Sequence, residues 1–304
     1  MFISANHPTR LSTLTLSICG LDNGVHYTAT SIWGAMYVVS KAVMAVIPPF
    51  SLLTSRLLLG ILTLLIIAIA KKKLSVNKKD FWNIFWVGFI GYGISLGFQF
   101  VGTDLSTAAN GSLVTSATPA FVLIFAALFL REKITPKHLL ALIVASLGVL
   151  AVIDPRSAQL DLSLFWGNMS LVAAALTWAL YSVLIRKVTR DVDVLTVSLI
   201  AFVGGVPTSI AAGAYEISTQ GLGTITPGVI AGILFLGIIC TAVAMYLWNT
   251  AFALLDASVA SLTFFAQPVV GTILSAIFLG EVITPLFLFG GLLIGIGLVI
   301  ASRE

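Results

Sequence analysis

The chain has 304 residues, 59% of them hydrophobic and only 9% charged, with a mean hydropathy of +1.08. Soluble domains carry about 25% charged residues, so a soluble enzyme, a disordered chain, collagen and a coiled coil are excluded. A polytopic membrane protein remains. At about 20 apolar residues per span, the length accommodates roughly ten.

The apolar runs are continuous rather than alternating, which favours helices over a barrel. Residues 1–26 precede them. Arg10 and Leu11–Ile18 resemble a short signal core, and Leu16–Cys19 a lipoprotein box, but Ile18 replaces the small residue that the box needs. The expectation is a dispensable extension. Ten spans follow: Tyr27–Ile47, Phe50–Ala70, Phe81–Val101, Ser106–Leu130, Lys137–Ile153, Leu164–Ile185, Val192–Ala214, Pro227–Thr250, Ala257–Leu279 and Pro285–Ser302. Residues 27–153 form one five-span unit, 154–163 a linker and 164–302 a second unit. Trp82, Trp86 and Trp166 read as interfacial belt residues. The glycines of spans three and ten read as close-packing positions, consistent with a monomer or a span-ten homodimer.

With the N-terminus inside, inner segments hold 13 of the 16 Lys and Arg, and outer loops hold only Arg156. Lys41 and Arg56 lie within spans. This asymmetry predicts both termini in the cytoplasm and an even number of spans. The net charge of +4 therefore reports orientation, not a nucleic-acid partner. Cys19 and Cys240 fit no disulfide or metal spacing, so neither metal nor cofactor is expected. The partners expected are the lipid bilayer and a small-molecule substrate.

Shifted by 149, Leu105–Ala151 matches Leu254–Ile300 at 16 of 47 positions, including Pro119/Pro268, Glu132/Glu281 and Thr135-Pro136/Thr284-Pro285. Shifted by 145, Trp33 falls on Trp178 and Lys41 on Arg186. Five spans is an odd number, so the second unit enters the membrane from the opposite side. The fold class is thus all-α, with ten transmembrane helices in two inverted five-helix repeats, an architecture common among secondary transporters. Trp33-Gly34-x-x-Tyr37, Arg56 and the paired Pro…Glu-x-x-Thr-Pro blocks resemble the ten-helix EamA-type branch of the drug/metabolite transporter superfamily. The resemblance covers residues 30–302. It implies a central cavity between the repeats, a bacterial inner-membrane location, and export or uptake of small metabolites, amino acids among them. Export of amino acids or related anionic or zwitterionic solutes is the leading reading. A multidrug or nucleotide/sugar-type carrier is the alternative.

Several residues are candidates for the site. Arg56 lies about 10 Å below the outer edge; it can snorkel outward or meet a carboxylate or phosphate in a cavity. Trp33, Tyr37, Tyr92, Gln99, Asn110, Trp178, Tyr181, Trp248, Asn249 and Gln267 place polar atoms at depth, where interhelical hydrogen bonds are the default and cavity lining the functional alternative. Pro119 and Pro268 are hinge candidates because each frees an upstream carbonyl. Lys41–Glu281 at the outer mouth and Arg186–Glu132 at the inner mouth are exchanged by the repeat, a candidate pair of gates. The competing role for both glutamates is facing the positive N-terminus of the next helix. Gly93-Ile94-Ser95-Leu96-Gly97 matches a serine-hydrolase pattern. It sits inside a span with no intramembrane histidine, so no catalytic residue is assigned. A non-transporting membrane protein is the other class to exclude.

Overall fold

A computed structural model of the chain describes residues 28–72, 75–131, 135–153, 162–254, 257–261, 264 and 266–302. The N-terminal extension, Glu132 and most of the linker lie outside the described residues. The helices are α1 (28–44), α2 (Pro49–Ala70), α3 (Lys78–Leu105), α4 (Ala108–Leu130), α5 (Pro136–Ile153), α6 (Leu162–Val188), α7 (Val194–Gln220), α8 (Pro227–Leu254), α9 (Ala257–Ser261 and Ala266–Leu279) and α10 (Pro285–Ser302). Of these, α2, α3, α4, α6, α7 and α8 are long and apolar enough to cross a bilayer by themselves; α1, α5, α9 and α10 are shorter apolar helices. Lipid offers the backbone no hydrogen-bond partner, so the spans close their own ladders except where α4 and α9 are broken. Helix starts carry the expected chemistry. Asn77, Thr107, Asp193 and Thr226 accept amide hydrogens at the first turns of α3, α4, α7 and α8. Thr284 does the same for α10, just ahead of Pro285.

Helix neighbours follow a pseudo-two-fold axis. Both α2 with α7 and α5 with α10 pack as mates of one another. Contacts of α3 with α7 are mirrored by those of α2 with α8. At the centre α4 crosses α9: the first half of α4 meets the second half of α9, and the second half of α4 meets Ala257–Ser261. The two helices therefore run antiparallel, as inverted repeats require. Large apolar side chains such as Leu58, Ile66, Leu140 and Phe278 cover the outside, the surface a lipid-facing bundle needs.

Glycine brings the backbones together at two matched positions, Gly60 and Gly205. A Cβ at Gly60 would run into the Thr241 side chain at 2.7 Å, and one at Gly205 into Tyr92 at 2.6 Å. Thr241 and Tyr92 are themselves mates under the 149 shift, so the symmetry holds at the level of single contacts. Each sits in a π-helical stretch, Phe235–Val243 and Phe89–Ser95. Such stretches displace side chains from the regular helical face and recur at functional sites.

Both central helices are interrupted. In α4 the turn falls at Ser116 and Ala117, and α9 consists of two pieces with Phe264 between them. Pro119 and Pro268, the hinge candidates, each stand in the first turn of a second helical piece, where a missing amide costs nothing. The Thr115 carbonyl is taken by the Thr118 hydroxyl at 2.6 Å.

Candidate functional site

The interruptions open a cavity at the crossing point. Its wall comes from α1, α3, α4, α6, α8 and α9. Four mated pairs line it: Trp33/Trp178, Leu96/Met245, Thr115/Phe264 and Thr118/Gln267. The cavity thus straddles the pseudo-two-fold axis. It holds about 20 Å³, room for a single water. A solute of metabolite size enters only when side chains or helices move.

Polar groups freed by the broken helix meet here. Ser116 N–H turns to Leu113, which leaves the Ser112 carbonyl for the Gln267 side chain at 3.1 Å. The same Nε2 donates to Thr115 Oγ1 at 2.7 Å, and the Tyr37 hydroxyl shares a 2.7 Å hydrogen bond with that oxygen. Ser95, the centre of the hydrolase-like pattern, donates to the Ala174 carbonyl at 2.9 Å inside a helix. The strand–turn–helix context of a nucleophile is absent at that residue.

The candidate residues divide into three groups. Trp33, Tyr37, Gln99, Trp178 and Gln267 line the cavity. Tyr92, Tyr181, Trp248 and Arg56 stand immediately behind its wall, with Asn249 behind the two tyrosines. Trp248 packs against Trp33 with ring centroids 5.3 Å apart at a 55° tilt and donates to Ser182. Asn110 is elsewhere: its amide donates to Ser106 and to Asn168 in a polar knot near the start of α6.

Arg56 is fully buried. Its Nε donates to Thr241 Oγ1 at 2.8 Å, its Nη1 to the Met36 sulfur at 3.3 Å, and its Cζ lies 5.2 Å from the Phe100 ring centroid. Nη2 has no partner, and among the described residues no carboxylate pairs with the guanidinium. Snorkelling, one of the two expectations, is therefore not the arrangement found. The repeat maps Met36, Arg56, Phe100 and Thr241 onto Tyr181, Ala201, Asn249 and Tyr92. In this second quartet the Tyr92 and Tyr181 hydroxyls share a 2.7 Å bond, Tyr181 donates to Asn249 Oδ1 at 2.8 Å, and Asn249 Nδ2 donates to Ser198 at 3.0 Å. One corner holds an uncompensated cation; its mate is neutral and closed.

The mouth beside Lys41 and Glu281 is held by helix ends, the competing role, and not by the candidate ion pair. Lys41 Nζ donates to the carbonyls of Thr103 at 2.9 Å, Ser106 at 2.8 Å, and Asp104, at the end of α3. Glu281 accepts from the amides of Ala108 and Ala109 at 2.7 and 2.8 Å, at the start of α4. A cation at a helix C-terminus and an anion at an N-terminus each complement the helix dipole. Among the described residues Lys41 and Glu281 share no ion pair; they bracket the same α3–α4 turn. The helix that Glu281 serves belongs to the other repeat rather than being the next in sequence. The inner pair cannot be compared, because Glu132 lies outside the described residues.

Two polar contacts escaped the sequence reading, those of Glu216 and Met36. Glu216 was left outside span seven, yet α7 runs on to Gln220 and buries it. Its Oε2 accepts from the Ser51 amide at 2.9 Å and hydroxyl at 3.2 Å, at the start of α2. Met36 carried no signal, since a methionine in an apolar run reads as packing.

Comparison with known proteins agrees with this geometry. The model of the EamA-like transporter family matches residues 25–153 and again 165–303. The chain is 29% identical over 277 residues to an uncharacterized transporter, YyaM, of Bacillus subtilis (strain 168), covering 88% of this chain and 89% of the relative. An uncharacterized transporter of Archaeoglobus fulgidus is 26% identical over 281 residues, with 90% and 96% covered. A solved crystal structure shares the fold at a TM-score of 0.69 and 20% identity, covering 93% of this chain and 96% of its own. The relatives are transporters rather than enzymes, and the family model meets each half of a bundle built on one internal axis: the chain is a multi-pass membrane protein belonging to the EamA-like transporter family.

Proposed function

We propose that this chain is a secondary transporter that moves small carboxylate-bearing metabolites, amino acids and related solutes among them, across the plasma membrane by alternating access. The observation that carries the reading is the cavity on the pseudo-two-fold axis, walled by broken helices from both repeats with a buried cation behind it. Two similar halves can exchange conformations about such an axis and open one site to each side in turn. The outer mouth is closed by Glu281 on α4 and Glu216 on α2, both reaching from the second repeat to the first. Releasing those helix ends is the change that opening outward requires. Such a carrier is reversible, so net export, the expected direction, follows from the solute gradients.

Reconstitution tests the reading: proteoliposomes containing the protein should show counterflow of a labelled carboxylate solute, and its absence for every metabolite class with an intact fold would refute it. The 13-to-1 distribution of basic residues supports both termini in the cytoplasm. In intact bacteria a Ser157→Cys variant should react with an impermeant maleimide; reaction only after permeabilisation would reverse the orientation.

A further inference from the structure

The broken symmetry around Arg56 identifies what the cavity is built to receive. The Met36 sulfur is the sole acceptor on Nη1. The amide Nε2 of Gln99, on the cavity wall, approaches the same sulfur at 4.0 Å. A thioether is a weak acceptor, yet a guanidinium and an amide converge on it. Met36 also lines the cavity, so its side chain stands between the cavity and the cation. The Trp178 indole N–H, on the same wall, has no partner, and neither has Arg56 Nη2. Every unmet group in this set is a donor. Buried donors cost stability unless something accepts from them.

We propose that Met36 is a displaceable plug occupying the seat of a ligand carboxylate, and that the ligand is a monoanion with an aromatic or flat apolar body. This rests on the proposed transport function and narrows it, placing plain monocarboxylates ahead of the amino acids among its solutes. Methionine is unbranched and repacks readily. When its side chain swings away, the carboxylate takes Nη1, Nη2 and Gln99 Nε2, and the thioether bond is replaced by charge-assisted ones. The body of the ligand lies against Trp33 and Trp178, whose rings stand 5.7 Å apart edge-to-face. One cation neutralises one negative charge, so a dianion leaves a charge buried. The lining residues include no carboxylate, so a ligand ammonium finds no counter-ion and is repelled by Arg56. The site therefore favours a plain acid over the corresponding amine, and over the zwitterion.

The test uses the full chain in lipid nanodiscs and in proteoliposomes, with phenylacetate, phenylethylamine and phenylalanine as probes. Binding is read from tryptophan fluorescence, and flux from labelled probe. Phenylacetate should bind at least about tenfold more tightly than phenylethylamine, the scale of a charge-assisted hydrogen bond. Arg56→Gln should weaken phenylacetate binding by about tenfold or more. Met36→Glu supplies a tethered carboxylate; it should abolish phenylacetate binding while raising the melting temperature, which keeps the test decisive if Arg56→Gln folds poorly. Equal binding of acid and amine, or unchanged phenylacetate binding in Met36→Glu, would overturn the proposal. Phenylethylamine flux without phenylacetate binding would sink the anion seat and leave the transporter; phenylacetate binding without flux would keep the seat and sink transport.

Discussion

The Arg56 corner and the Asn249 corner occupy equivalent places on either side of the internal axis, yet they are finished differently. Around Asn249 the donors and acceptors of Tyr92, Tyr181 and Ser198 satisfy one another. Around Arg56 a full charge faces a hydroxyl, a thioether and an aromatic ring, and Nη2 has no acceptor. A closed network rigidifies a core and specifies its packing. An open one is destabilising until a ligand completes it. On the proposed function, the duplicated fold keeps one corner as a structural brace and spends stability at the other on recognition.

Replacing the two central residues by apolar ones should have opposite signs. Asn249→Leu removes the acceptor of the Tyr181 hydroxyl, leaves one O–H of the Tyr92–Tyr181 pair unmatched, and should destabilise the protein by about 1–3 kcal/mol. Arg56→Met removes a buried charge lacking a counter-ion and should leave stability unchanged or raise it, by about 1 kcal/mol or more. Thermal melting of the purified variants compares them directly. Equal losses in both would show that Arg56 is a brace like its mate.

A smaller effect is expected at the outer mouth. Glu281 holds α4 amides and Lys41 holds α3 carbonyls, so each acts on its own helix end. Glu281→Lys should weaken outer closure by about 1 kcal/mol, seen as faster labelling of outward-facing positions. Adding Lys41→Glu should not restore it, because it places an anion against carbonyls. Recovery in the double variant would mean that a direct ion pair operates in a conformation other than this one.

The helix pattern was legible from the chain alone. Hydropathy located all ten spans, and loop lysines and arginines gave their parity, because lipid allows so few solutions. The Leu-x-Glu-x-Ile-Thr-Pro repeat gave the inverted halves. The helix ends were harder to read. Glu216 looked like a loop residue because α7 extends beyond its apolar run, and nothing local shows that the Ser51 amide waits for it. Glu281 was correctly read as a helix-end anion, but its helix is 173 residues away in sequence. Asn110 and Asn249 look alike in sequence; only packing separates the knot at the start of α6 from the axial corner. Met36 was invisible because its role depends on which residue its sulfur touches.

Alternating access, as proposed, requires that one cavity be reachable from both sides of the membrane. Ala175 lines that cavity and is 1% exposed. In a chain with Cys19 and Cys240 replaced by serine or alanine, Ala175→Cys should react with an impermeant thiol reagent in right-side-out vesicles and in inside-out vesicles, with phenylacetate slowing both reactions. Reaction from a single side under every condition would contradict alternating access.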